Sequence, residues 1–97
     1  MTKYLANLMA DERINIHEER GNVYGLCIVG RGETLFFKEN DRGLLCHIDK
    51  ISNVIYGNSI TTWGSHDEDM DKEEQERVLA LILKYYKKTY GQSAKIM

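Results

Sequence analysis

The sequence predicts an α+β domain: an antiparallel β-meander of four to six strands, packed by one long C-terminal α-helix, with residues 93–97 available as a short terminal strand. Three observations predict it. A capped amphipathic segment runs from Asp71 to Gly91. Before it, short apolar or alternating runs between residues 13 and 63 are separated by glycine, asparagine and aspartate. With 97 residues there is room for one core, and a sheet and a helix each hide an apolar side only by covering one another.

Residues 1–12 leave alternatives open. Tyr4, Leu5, Leu8 and Met9 have helical spacing, but so short a segment is not stable alone, so it packs as a short helix or strand, or frays. From residue 13 the pattern alternates, with Ile14 and Ile16 set against Arg13, Asn15 and His17, the pattern of a half-buried strand. Arg20, Gly21 and Asn22 make a turn. Residues 23–29 are apolar on both parities, as in a central strand, and Gly25 is a candidate bulge. Gly30 and Gly32 suit a hairpin connection. Residues 34–38 form the next strand, residues 40–43 a turn, and then Leu44, Cys46 and Ile48 alternate with Leu45, His47 and Asp49. Connections this short describe a meander. Two short β segments, 54–56 and 59–63, hinge at Gly57 and Asn58.

The helix carries its own punctuation. Asp71 is placed to accept an early amide, and Glu74 to reach back, as in a capping box. Gly91 suits the left-handed residue that ends a helix. Val78, Leu79, Ile82, Leu83, Tyr86 and Tyr90 recur every three or four residues and form the apolar stripe. Acidic residues crowd the first turn and Lys84, Lys87 and Lys88 the last turns, matching the helix dipole. Trp63 is expected to cap the edge of the helix–sheet core, combining large burial with one indole donor.

With 42% apolar and 29% charged residues, the chain reads as an ordinary globular domain. No run approaches the ~20 apolar residues that cross a bilayer, and the first ten residues lack a secretory apolar core. A cytosolic protein without membrane partners is expected. Cys27 and Cys46 lie in apolar runs without C-x-x-C spacing and read as buried thiols. His17, His47 and His66 fall on separate segments, and consecutive residues of a strand, such as Cys46 and His47, point to opposite faces. A Cys27–His47 pairing across strands is the remaining nucleophilic arrangement. The clusters His17, Glu18, Glu19 and His66, Asp67, Glu68, Asp69 lack the spacing of a metal-binding loop or helix. Gly30 and Gly32 sit between strands, with no following helix to cradle a phosphate. The residues call for no catalytic group, metal or cofactor.

Charge distribution is the feature that folding does not require. The formal net charge is −2, yet residues 66–76 carry Asp67, Glu68, Asp69, Asp71, Glu73, Glu74 and Glu76 against Lys72 alone. A helix start profits from one or two carboxylates, whereas badly placed like-charge pairs repel by ~0.2–0.5 kcal/mol each. Asp67, Glu68, Asp69, Asp71, Glu73 and Glu74 are therefore the candidate partner-binding residues, an acidic surface for a basic partner. The outward residues Arg13, Glu18 and Arg31 are alternative contacts. The second function class is a small regulatory nucleic-acid binder using Lys84, Lys87, Lys88 and the neighbouring tyrosines, where cations interleave with stacking rings.

The C-terminal half also resembles a known family. Its pattern is Tyr56, Gly57, Asn58, Ser59, Ile60 and Trp63, then a charged loop, then Met70 and Asp71 leading into Glu74, Arg77, Val78, Leu79 and Ile82, then a glycine and a terminal β segment. This is similar to the small immunity proteins encoded beside polymorphic, contact-dependent bacterial toxins, in particular the family numbered seventy-four. The N-terminal hairpins match in style only. The resemblance implies a non-enzymatic cytosolic protein that binds and blocks a cognate toxin domain, often a nuclease with a basic cleft.

Overall fold

The computed structural model describes residues 2–11 and 14–97. Arg13, one of the expected outward contacts, lies outside the described residues. The elements are α1 (Lys3–Ala10), β1 (Asn15–Glu19), β2 (Asn22–Val29), β3 (Thr34–Glu39), β4 (Arg42–Asp49), β5 (Val54–Ile55), a 3-10 turn (Gly57–Ser59), β6 (Thr62–Trp63), β7 (Glu68–Asp69), α2 (Lys72–Tyr90) and β8 (Lys95–Ile96). The α+β class holds. A six-stranded sheet runs in the order β1-β2-β3-β4-β5-β8, and β6 and β7 form a separate hairpin. Neighbours from β1 to β5 pair antiparallel, as a meander requires. The terminal strand β8 pairs parallel with β5, because the intervening chain, α2 included, supplies the crossover that a parallel pair needs.

Strand register sets which side chains meet α2. Leu26, Phe37 and Leu44 form one cross-strand row, and His17, Tyr24, Glu39 and Arg42 form the next. On this face Leu35, Cys46, Ile48 and Ile55 join Val78, Ile82, Tyr85 and Tyr86 of α2 in the main core. The opposite face is covered in part by α1, which Thr2 caps by accepting the Leu5 amide at 3.2 Å. Leu5, Ile14 and Phe36 form a second, smaller core there, with Leu8, Met9, Cys27 and Leu45 packed against it.

Two expectations about β1 and β2 change. Gly25 makes no bulge: it pairs in regular register between Ile16 and Lys38. A Cβ there would meet Ile14 Cδ1 at 2.6 Å, and one at Gly43 would collide with Met9 Sδ, so these two glycines let α1 and its flank approach the sheet closely. In β1, Ile16 is 45% exposed, while His17 points under α2. There its Nε2 lies 3.0 Å from Thr89 Oγ1 and its ring stacks on Tyr85.

The cap residues Asp71 and Gly91 behave as the sequence predicts. Asp71 Oδ1 accepts the Glu74 amide at 2.8 Å, and Gly91 adopts φ 73° while its amide donates to the Lys87 carbonyl. The core stripe is wider than predicted, since Tyr85 is fully buried beside Tyr86.

Candidate functional site

The acidic segment is not a plain loop. Thr62 and Trp63 pair with Asp69 and Glu68, so two of the candidate carboxylates sit on a strand. The turn between them passes through Asp67 at φ 49°, a conformation that aspartate tolerates better than most residues. Ser65 fastens this turn to the start of β4: its amide donates to the Gly43 carbonyl (3.1 Å), and its Oγ accepts from the Gly43 amide (2.8 Å). The Met70 amide then donates to Thr61 (2.9 Å), and Asp71 begins α2.

Glu74 departs from its expected role. It does not complete the capping box but turns inward, where Oε2 accepts the Trp63 indole N–H at 3.1 Å and Oε1 accepts Arg77 Nε at 2.6 Å. Arg77 also grips Glu39 with both terminal nitrogens at 2.8 Å. Glu39 accepts a further bond from Arg42 Nη2 at 3.0 Å. Arg42 closes the circuit, with Nη1 3.6 Å from Glu74 and its guanidinium 4.6 Å over the Trp63 ring. The result is a charge-alternating quartet of Glu39, Arg77, Glu74 and Arg42 around a fully buried tryptophan. Arg77, opposed by desolvation, holds the carboxyls of both Glu39 and Glu74 below the usual range, Glu74 down to about 2. Glu74 therefore shapes the site from within.

The other candidate residues face outward. Asp67, Glu68, Asp69, Asp71 and Glu73 are all exposed. Glu68, Asp69, Asp71, Glu73 and Glu74, together with Met70 and Arg77, line a shallow depression of about 450 Å³. Among the described residues, the side chains of Glu68, Asp69 and Glu73 make no hydrogen bond or ion pair. The structure thus gathers five of the six candidate residues around one hollow, with half-buried Met70 between them. Met70 and Arg77 were not among the candidates.

The arrangement at the other end of α2 does not present stacking rings. Tyr85 and Tyr86 are buried. Their hydroxyls donate to Glu19 Oε2 (2.7 Å) and Asn53 Oδ1 (2.6 Å), and Tyr90 OH accepts the Ile28 amide at 2.9 Å. Lys84 is bound to Glu19 at 2.6 Å. Lys87 and Lys88 are exposed, although Lys88 Nζ lies over the Tyr85 ring.

The thiols lie on opposite faces of the sheet, Cys46 in the main core and Cys27 against the smaller one. Cys27 shares its row with Phe36 and Leu45, whereas His47 pairs with Thr34. The two are therefore out of register by two residues, with β3 between them. Burial pushes the Cys46 thiol up to about 12 and raises Cys27 as well, so neither favours the nucleophilic thiolate. Iodoacetamide at pH 8 is expected to leave Cys46 unmodified in the native protein and to label it in urea. Rapid native labelling would mean that β4 opens readily. Among the described residues, no group of three or more histidine, cysteine or acidic side chains converges on a metal position, and no helix is long and apolar enough to cross a membrane.

Comparisons with protein-family models, with curated proteins and with solved structures find no match. The likeness to immunity proteins accordingly rests on the residues quoted for it.

Proposed function

We propose that this chain is an immunity-type protein that binds and neutralises a cognate toxin domain in the cytosol, with the acidic hollow at the start of α2 as its contact surface. One observation carries the reading: Glu68, Asp69 and Glu73 stand exposed around a common depression, without partners among the described residues. The fold requires Asp71 as a cap and Glu74 as a clamp. It does not require the other three. Carboxylates held this close raise each other's energy until a cationic surface arrives. A toxin domain with a basic nucleic-acid cleft is such a surface, and an inhibitor that presents carboxylates in place of phosphates gains both steering and discrimination. Asp67, on the turn beside β7, extends the same field.

The proposal assigns distinct roles within the predicted set. Asp67, Glu68, Asp69, Asp71 and Glu73 meet the partner, and Glu74 fixes the angle between the β6–β7 hairpin and α2 through Trp63 and Arg77. The nucleic-acid alternative is not favoured, since two of the three rings it needs, Tyr85 and Tyr86, are packed inside and the third, Tyr90, is partly buried against the core.

The test is co-expression and pull-down with the variable C-terminal domain of a large secreted protein encoded by a neighbouring reading frame. Binding kinetics would then be measured on the triple variant Glu68→Lys, Asp69→Lys, Glu73→Lys. Its far-ultraviolet circular dichroism should match the parent, because these side chains hold nothing in place. Association at low salt should slow by about tenfold or more, with a smaller change in dissociation, as expected for peripheral charges that steer encounter. An on-rate unchanged at low ionic strength would remove the acidic surface from the interface.

A further inference from the structure

A second surface carries a different message. Of the large apolar side chains left exposed among the described residues, Ile51 is the extreme, at 96%. It is nevertheless held on a fastened turn. Asp49 Oδ1 accepts the amides of Ile51 and Ser52 (3.1 and 3.3 Å), and the Lys50 amide donates to the Gly32 carbonyl (3.1 Å). Asn53 closes the turn at φ 53°, with its Oδ1 accepting the Tyr86 hydroxyl. The protein thus fixes an isoleucine in water without using it in its own core. Ile51 stands on the wall of an open groove of about 670 Å³ that also takes in Arg31, Glu33, His47, Asp49 and Tyr56.

We infer that this face is a symmetric contact between two copies of the chain, with each Ile51 seated in the groove of the other. In an isologous contact the same patch meets itself and must be complementary to itself, a condition that a protrusion beside a recess, with both signs of charge, satisfies. This patch holds all of these. Arg31 and Glu33 stand exposed with opposite charges on the groove wall, whereas Lys50 is bound to Asn53 and Gln92 and Asp49 to the turn amides; a two-fold axis sets the exposed cation of one copy against the exposed anion of the other. The acidic hollow lacks this property, because there like would meet like. The two surfaces share no residue, so pairing leaves the hollow open and displays it twice. A contact made by one isoleucine and one pair of exchanged charges corresponds to a weak dimer, dissociating in roughly the micromolar range.

Sedimentation velocity on the full chain, from ~5 to ~500 µM, brackets that range. The mass is expected to rise from 11.2 kDa toward twice that value. Ile51→Glu should remain monomeric throughout, with melting unchanged because the side chain packs against nothing in the monomer. Arg31→Glu and Glu33→Arg should each weaken association by about tenfold, and the double exchange should recover it. A parent chain that stays at monomer mass across the range overturns the proposal, as does a dimer indifferent to Ile51→Glu. A monomeric parent whose Ile51→Glu variant loses the toxin domain would also overturn it and would assign the isoleucine to that partner. Failure of the pull-down, by contrast, leaves this self-association result untouched.

Discussion

Trp63→Ala is expected to destabilise the domain by ~3–5 kcal/mol, the range for truncating a large buried aromatic. Three losses act together. The side chain is fully buried and stacks with Phe37 at 6.3 Å between ring centres, so truncation leaves a cavity between sheet and helix. Glu74 loses the indole N–H that its Oε2 accepts. Arg42 loses the ring beneath its guanidinium. Since a domain of this kind holds roughly 5–15 kcal/mol in total, one substitution removes a large share. Chemical denaturation followed by circular dichroism measures it. The parent's emission provides a second probe, because Trp63 is the only tryptophan. Trp63→Phe separates the contributions: it keeps most of the apolar volume and loses the donor, so about 1–2 kcal/mol is expected. If alanine cost no more than phenylalanine, the tryptophan would not be anchoring the hairpin to the core.

The parts of this architecture that local chemistry dictates were legible in the sequence. Asp71 and Gly91 bound α2 because an N-cap acceptor and a left-handed C′ residue are each a one-residue solution to unpaired helix ends. The meander was legible because glycine and asparagine interrupt runs of period two. Periodicity alone does not say which face a strand presents. Ile14 and Ile16 share a parity, yet α1 and the smaller core shelter only the first, and His17 takes the inward place against Tyr85. Tyr85 fell outside the predicted stripe because its burial depends on Glu19 and His17, residues far away in sequence. The pairing of Thr62 and Trp63 with Asp69 and Glu68 is two residues long, too short to leave a pattern. The charge-alternating quartet was partly legible after all. Glu39 has the parity of Leu35 and Phe37, and Arg42 that of Leu44 and Cys46, so two opposite charges occupy adjoining inward positions at one end of the sheet. A charged pair on an inward face needs partners from the covering element, and Arg77 is the residue of α2 that meets it.

Arg77→Met is expected to cost ~2–4 kcal/mol, somewhat below the usual range for stranding a buried charge, because Arg42 remains beside Glu39 and Arg77 is itself partly exposed. Glu39 is 6% exposed, so without the guanidinium fork its carboxylate keeps only one cation in place of two. Arg77→Lys should recover less than half, since a point charge cannot grip Glu39 with two nitrogens while bonding Glu74 with a third. Combining Arg77→Met with Glu39→Met should cost less than the sum of the two single changes by about 1–3 kcal/mol, because the second removes the charge that the first strands. Strict additivity would mean that the pair is solvated and contributes nothing specific. The same geometry dictates an acid limit. Hydrogen bonds from Arg77 hold Glu74 at about 2, those from Lys84 and Tyr85 hold Glu19 at about 2, and Glu39 is lowered as well, against an ordinary glutamate value of 4.5. Groups whose native values are depressed bind protons more readily when unfolded. Their stabilisation is therefore complete above 4.5 and is lost as pH falls from there toward about 2. Melting temperature should be nearly level from pH 7 to 5 and should fall steeply below pH 4.5. The Arg77→Met variant, already deprived of the guanidinium that does most to hold Glu74 and Glu39 ionised, should show a shallower decline. An equally steep decline in that variant would place the acid sensitivity elsewhere, with Glu19 and its lysine the next pair to remove.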